Sequence, residues 1–160
     1  MEEIRSGEYS IRKAREEEWE EAMELAWNTF LIFQTKEYSE EGIESFFEFV
    51  NDRDLKRHFL LGDYELYVAL AKGRIVGLIT RRNGGHISLL FVDQSFQRKG
   101  VGSALVGYLS EYLRKEEGLH YLTVDAAPSA AVFYRKAGFW DLAPLQHKQG
   151  ITFIPMKKNL

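Results

Sequence analysis

The sequence predicts an α/β chain of the α+β kind, with elements in the order β-α-α-β-β-β-α-β-α-β-β. Three observations carry that expectation. Short apolar runs bounded by turn residues alternate with segments whose apolar positions recur every three or four residues. The run Ile87 to Val92 feeds a glycine-bearing turn, Gln97-Arg98-Lys99-Gly100-Val101-Gly102-Ser103-Ala104, which opens a helical pattern from Leu105 to Lys115. The composition, 45% hydrophobic with 11 Phe, 8 Tyr and 3 Trp, suits a filled interior rather than disorder. A chain of 160 residues fits one core, so a single domain over 1–160 is expected.

Tyr9 to Lys13 reads as the first strand. Glu16 to Phe30 reads as a helix, with Trp19, Ala22, Met23, Ala26 and Phe30 on one face and Glu16, Glu17 and Glu18 at its positive end. Ser39 suits the cap of a second helix whose apolar face is Ile43, Phe46, Phe47 and Val50. Glu65 to Ala71 and Arg74 to Arg81 read as strands joined at Lys72-Gly73, a hairpin signal. Asn83-Gly84-Gly85 is the next turn, and His86 to Val92 the strand that reaches the glycine loop. Gly118 fits a helix C-cap, and Tyr121 to Asp125 a further strand. Leu142 to Gln146 and Ile151 to Met156 read as a closing hairpin around residues 147–150.

The glycine loop is where chemistry first becomes legible. Amides at a helix start lack intrahelical partners, and the helix dipole makes that end positive, so a strand–glycine–helix turn can cradle phosphate. Gly100 and Gly102 let the backbone approach a ligand closely. The dinucleotide pattern fails because its third glycine position holds Leu105. The Walker pattern fails because Lys99 precedes the first glycine. What remains is Gln-x-x-Gly-x-Gly before a helix. Further on lies Ala130-Ala131-Val132-Phe133-Tyr134-Arg135-Lys136-Ala137-Gly138-Phe139, a short helix of good formers after Pro128, with Gly138 where a left-handed C-cap belongs.

Together these segments resemble the GCN5-related N-acetyltransferases. The loop is similar to that family's coenzyme A pyrophosphate loop. Ala130, Phe133, Tyr134, Lys136, Gly138 and Phe139 match its second signature, Ala-x-x-Phe-Tyr-x-Lys-x-Gly-Phe. The specific matches lie within residues 87–139. The resemblance implies a central mixed, mostly antiparallel sheet with helices on both faces, in which the strand before the loop and the strand after the long helix are parallel but splay apart. It implies that a pantetheine arm pairs with Leu90, Phe91 and Val92, and that the pyrophosphate meets the turn Gln97, Arg98, Lys99, Gly100, Val101, Gly102 and Ser103. Phe133 and Lys136 complete the implied coenzyme contacts, although Phe133 also suits core packing. One position departs: where the family usually carries Asn seven residues before this Tyr, the chain has Ala127.

The implied reaction is acetyl transfer from acetyl-CoA, as co-substrate, to an amine of a small molecule or peptide by direct attack. Tyr134 would protonate the leaving thiolate. A strand amide near Val92 would steady the oxyanion. For the general base the reading stays open between His86, which titrates in a useful range, and water-relayed carboxylates at residues 37–48 or Asp125. The family places one wall of the acceptor pocket on the connection between the first two helices, here Phe30 to Tyr38, with Phe33 and Tyr38 as its candidates. Two other readings are carried: a non-catalytic acyl-CoA-binding module, and a protein-interaction module whose patch is Phe46, Phe47 and Phe49.

Charge fits that layout. The net charge of −3 divides into 16 acidic against 8 basic residues over 1–60, and 8 against 13 over 61–160. The basic part carries the loop and suits a phosphorylated coenzyme; the acidic part suits either a cationic acceptor or plain solvated surface. No cysteine is present, which excludes disulfides, thiolate metal sites and a cysteine nucleophile. His58, His86, His120 and His147 show no metal-ligand spacing, and no metal is expected. No apolar run approaches the ~20 residues of a membrane span. The start Met1-Glu2-Glu3-Ile4-Arg5 lacks the features of a signal peptide. A cytoplasmic location is expected, with neither nucleic acid nor membrane as partner and a homodimer left open.

Overall fold

The computed structural model describes residues 2–82 and 84–160. A nine-stranded sheet runs through it. Its strands are β1 (Ile4–Ser6), β2 (Tyr9–Lys13), β3 (Glu65–Ala71), β4 (Arg74–Arg82), β5 (His86–Val92), β6 (Tyr121–Ala126), β7 (Trp140–Asp141), β8 (Gln146–Lys148) and β9 (Ile151–Asn159). The order across the sheet is β1-β2-β3-β4-β5-β6-β9-β7, with β8 paired to β9. All neighbours are antiparallel except β5 and β6. The helices are α1 (Trp19–Phe33), α2 (Glu40–Val50), α3 (Arg53–Leu61), α4 (Val101–Glu117) and α5 (Ala131–Lys136).

Two cores lie on opposite faces of the sheet. On one, α1, α2 and α3 cover Leu66, Val68, Leu78, Leu89 and Phe91, with Trp19 stacked on Phe59 at 4.8 Å and Phe30 on Phe46 at 4.3 Å. On the other, Val101, Leu105, Leu109 and Leu113 of α4 pack against Tyr67, Ile79, Ile87 and Leu122. The end of α4 is tied to the sheet by a buried ion cluster: Arg81 of β4 reaches Glu65 of β3 and Glu117 of α4, and Tyr67 donates to Glu65. A buried cation paired on both sides leaves no lone charge in the interior.

Local signals explain most of the elements. Ser39 accepts from the Gly42 amide and caps α2. Lys72 and Gly73 take positive φ (52° and 76°) and make the β3–β4 turn. Gly118 and Gly138 end α4 and α5 in left-handed conformation (φ 64° and 100°). Glu16–Glu18 forms a 3-10 turn ahead of α1, so the regular helix begins at Trp19 and runs to Phe33. Asn83 of the expected 83–85 turn lies outside the described residues.

Several expectations are corrected. α3, between the Asp52 cap and Gly62 at φ 93°, has no counterpart in the sequence reading, because few apolar residues, chiefly Leu55 and Phe59, turn inward. The three-residue β1 was also missed. The closing hairpin is shifted: Leu142 and Leu145 are exposed in an irregular segment, and the turn is Gln149-Gly150 between β8 and the longer β9. Phe46 and Phe49 pack onto the α1–α2 core, which leaves Phe47 alone of that trio exposed.

α4 lies flush on β4 because Gly77 has no side chain. A Cβ there would stand 2.9 Å from Val101 Cγ1 and 3.2 Å from Leu105 Cδ1, both on buried residues. Gly77→Ala is therefore expected to lower stability by about 1–3 kcal/mol through overpacking. Urea unfolding checks this; an unchanged midpoint would mean that α4 shifts without cost.

Candidate functional site

β5 carries the geometry from which the site is built. Thr80 faces Leu89 and Arg81 faces Ile87, so Ser88 is left without an opposite residue, a β-bulge. Three hydroxyls secure it. The Thr80 Oγ1 accepts the Leu89 amide at 2.9 Å, and Tyr64 donates its hydroxyl proton to Ser88 Oγ at 3.0 Å. The Thr80 hydroxyl accordingly donates to the Tyr64 oxygen at 2.8 Å. The extra residue resets the alternation. Ile87 enters the α4 core, whereas Leu89 and Phe91 enter the α1–α2 core, and Leu90 and Val92 turn back to the α4 side.

Parallel pairing with β6 stops at the same place. It comprises His86 with Thr123 and Ile87 with Val124, while β6 continues along β9 to Ala126. From Ser88 onward the edge of β5 has no strand beside it, and a wedge opens between the two strands. The wedge forms a cleft of about 540 Å³. Its walls are Leu90, Phe91 and Val92 of β5, the glycine turn, Thr29, Phe33 and Gln34 at the end of α1, and Ser129, Ala130, Phe133 and Tyr134.

The turn at one end of the cleft presents backbone. Arg98 and Gly100 adopt left-handed conformation (φ 62° and 80°). Gly100 is the N-cap of α4 and no side chain caps the helix. Ala104 is bonded to the Gly100 carbonyl, so the amides of Val101, Gly102 and Ser103 precede the first helical bond. The Gln97 side chain donates to the Val92 carbonyl at 2.6 Å and folds the turn back on the strand end. The 17-residue α4 adds its dipole, and the arrangement suits an anion.

Tyr134 stands at the other end of the chemistry. It is 5% exposed, with Phe133 and Phe139 edge-on at 5.2 Å each. Among the described residues nothing hydrogen-bonds its hydroxyl, which borders the cleft. Burial alone drives its pKa well above the ordinary value. This phenol keeps its proton throughout the physiological range.

A family model described as an acetyltransferase (GNAT) domain matches residues 34–160. The chain belongs to the GCN5-related N-acetyltransferase family. A curated relative, the uncharacterized N-acetyltransferase YafP of Escherichia coli (strain K12), is 37% identical over 79 residues, 49% of this chain. That match spans 48%, about half, of the relative's own length. Among solved structures, a GCN5-related N-acetyltransferase from Rhodopseudomonas palustris superposes with a TM-score of 0.80 at 25% identity, covering 94% of each chain. The PaiA N-acetyltransferase of Thermoplasma acidophilum, solved in complex with coenzyme A, has a TM-score of 0.74 at 21% identity, over 95% of this chain and 99% of its own. The latter likeness concerns the fold.

Against this acetyltransferase frame the expected site residues divide. Leu90, Phe91, Val92, Gln97, Arg98, Gly100, Val101, Gly102, Ser103, Phe133, Tyr134 and Phe33 line one cleft. Lys99 instead pairs with Glu8 at 3.0 Å and lies over the Phe96 ring, and Lys136 is exposed away from the lining. Tyr38 packs edge-on to Phe30 at 4.8 Å and bridges Ile151, so it supports the wall from behind. His86 sits where the strands are still paired, six residues or ~20 Å of strand before Val92. Its Nδ1 meets Thr123 Oγ1 at 2.8 Å and its Nε2 lies 3.9 Å from Asp125. Among the described lining residues none is His, Asp or Glu, so neither the carboxylates of residues 37–48 nor Asp125 is part of the lining. Sequence reasoning missed Thr29, Phe96 and Ser129, and named Gln34 and Ala130 only within the α1–α2 connection and the second signature. Thr29 shares a helical face with Phe33, which was a usable signal; Phe96 had none. No group of three or more His, Cys, Asp or Glu among the described residues is arranged for a metal, and no described helix is long and apolar enough to cross a membrane.

Burial holds His86 below its ordinary pKa; Asp125 opposes this and Arg82 adds to it. The folded state therefore resists protonation. The stability tied to His86 is complete above about pH 6.5 and is lost as pH falls through the lower folded value. Urea midpoints at about pH 7.5 and about pH 5.5 should differ in the native chain and differ less in His86→Asn. Equal differences would place the sensitivity on another group.

Proposed function

We propose that this chain is a single-domain N-acetyltransferase that moves an acetyl group from acetyl-CoA to a primary amine of a small molecule or peptide by direct attack. One observation carries the reading: the wedge beyond Ile87 opens between the uncapped N-terminus of α4 and the unpartnered Tyr134 hydroxyl. Membership of the acetyltransferase family and the coenzyme A complex of the PaiA relative support it.

In this reading the pyrophosphate lies on the amides of the turn from Arg98 to Ser103, with Arg98 supplying a cation. The pantetheine arm runs along the free edge of Leu90 to Val92, with Phe133 as an apolar wall. The acetyl carbonyl reaches the end of β5, where a strand amide near Val92 receives the oxyanion. The amine attacks, the C–N bond forms, the thioester C–S bond breaks, and sulfur leaves as thiolate. Tyr134 donates to that sulfur. Burial keeps Tyr134 protonated until the thiolate charge develops beside it, and the proton passes to sulfur as that charge completes. Among the described lining residues there is no His or carboxylate, so the amine proton passes to water, and His86 stays at the paired start of β5 with Asp125 of β6 at 3.9 Å. Phe33 forms the acceptor-side wall.

Acetyl-CoA at 100 times its Kd should add roughly 2.7 kcal/mol of apparent stability, read as a rise in melting temperature. Thiol release should follow with some member of an amine panel. Tyr134→Phe should then lower kcat by about 10²-fold or more while coenzyme affinity stays near native. No thermal shift at millimolar acetyl-CoA overturns the proposal. Binding without thiol release on any amine favours an acyl-CoA-binding module, and full kcat in Tyr134→Phe, with chemistry rate-limiting, assigns the proton to another group.

The cradle has its own test. A Cβ at Gly102 would lie 3.2 Å from Cε1 and Cζ of Phe133. The γ-methyls of Gly102→Val would part α4 from that ring, so coenzyme affinity should drop sharply with the far-ultraviolet spectrum unchanged. Native affinity in this variant would misplace the cradle.

A further inference from the structure

Ser129 directs both its amide and its hydroxyl at Glu37, whose carboxylate oxygens accept them at 2.7 and 3.0 Å. The two residues belong to opposite sides of the cleft. Glu37 ends the 3-10 turn Thr35–Glu37, which continues α1 directly after the cleft-lining Phe33 and Gln34. Ser129 lies in the turn Pro128–Ala130 after β6, lines the cleft itself, and leads into Phe133 and Tyr134. Among the described residues, the side-chain hydrogen bonds between the α1–α2 connection and the β6–α5 turn are these two. The connection's far end is held separately, by the Tyr38 bridge to Ile151 and by the Ser39 amide and hydroxyl, each 3.3 Å from the Gly150 carbonyl.

We propose that Glu37 is a positioning residue that couples the coenzyme side of the cleft to the acceptor side. The inference rests on the acetyltransferase reading above. A carboxylate that accepts an amide and a hydroxyl forms charge-assisted bonds with fixed direction. These bonds lie at the surface, and the wall they hold is thinly packed: Leu31, Ile32 and Phe33 are exposed by 44%, 54% and 45%. Such a segment opens easily by itself. A coenzyme lying against Ser129, Ala130 and Phe133 fixes the β6–α5 turn, and the carboxylate passes that constraint to Thr35–Tyr38. By linkage, an acceptor that fixes the connection tightens the coenzyme to the same degree. With both oxygens engaged by Ser129, Glu37 acts on the reaction through the wall and not as a base within the cleft.

Hydrogen–deuterium exchange of the full chain, with and without coenzyme A, tests this without an identified acceptor. In the native protein coenzyme A should slow exchange at residues 98–103, at 127–134 and also at 34–39. Glu37→Ala should keep coenzyme affinity and the protection of 98–103, and lose the ligand-dependent protection of 34–39 by about fivefold or more. Glu37→Gln, which retains one acceptor for the Ser129 amide, should fall between. Ser129→Ala combined with Glu37→Ala should add nothing to the single loss. If 98–103 are protected and 34–39 are not, or if 34–39 stay protected in Glu37→Ala, the coupling is overturned while the acetyltransferase reading stands. If coenzyme A protects no segment and does not bind, both fall.

Discussion

The site depends on a single unopposed residue. Ser88 interrupts the ladder between β4 and β5, and the interruption does two things that a regular strand cannot do together. It rotates the following residues by one position, so Leu89 and Phe91 anchor the α1–α2 core while Leu90 and Val92 look across to α4. It also coincides with the last parallel pair to β6, so the free edge of β5 begins where the side chains have already been redirected. An unpaired strand edge is usually a hazard. Here it is walled by α1 on one face and α5 on the other, leaving a slot and not an open edge. The buried Thr80–Tyr64–Ser88 chain satisfies the polar groups that the bulge disturbs.

Around that slot the electrostatics are carried mainly by backbone and dipoles. The turn from Gln97 to Gly100 is held by a side chain acting on backbone, and α4 ends on the opposite side of its face in an ion cluster that fixes its axis. Lys99, the most obvious cation by sequence, is engaged with Glu8, and Arg98 is the cation on the lining. No carboxylate of the acidic N-terminal third is among the described residues lining the cleft.

What the sequence disclosed, and what it withheld, follows from the range of each constraint. Gly100, Gly118 and Gly138 were readable because a left-handed backbone is a local demand met by one residue type. Lys72-Gly73 and the Ser39 cap were readable for the same reason. α3 was not, since its inward face is little more than Leu55 and Phe59 in an otherwise charged segment. Leu142 and Leu145 looked like strand because they are apolar, yet the strands of this segment that pair with β9 are Trp140–Asp141 and the polar Gln146–Lys148 on either side of them. The placement of His86, Lys99 and Tyr38 depended on where two strands part and on which residues meet across the fold. His86 reads as the start of a site-bearing strand, and nothing local reveals that the wedge opens beyond Ile87. The cleft's backbone parts were thus legible, and its side-chain occupants less so.

Gly42 and Gly150 meet so closely that a Cβ on Gly42 would stand 2.5 Å from the Gly150 carbonyl oxygen. Together with Tyr38 on Ile151 and Glu37 on Ser129, this contact gives the cleft wall that follows α1 a peculiar birth order. The wall is encoded in the first third of the chain, but the ties that hold residues 37–42, to Ser129, Gly150 and Ile151, are encoded in the last. A nascent chain emerging N-terminus first can form α1 and α2 early and pack them on β3–β5, yet it must wait for β9 before residues 35–39 have anything to rest against. Closing so long a loop is slow compared with making a helix. The slot is therefore complete only once β9, which also supplies Met156 to the α4 core, is in place.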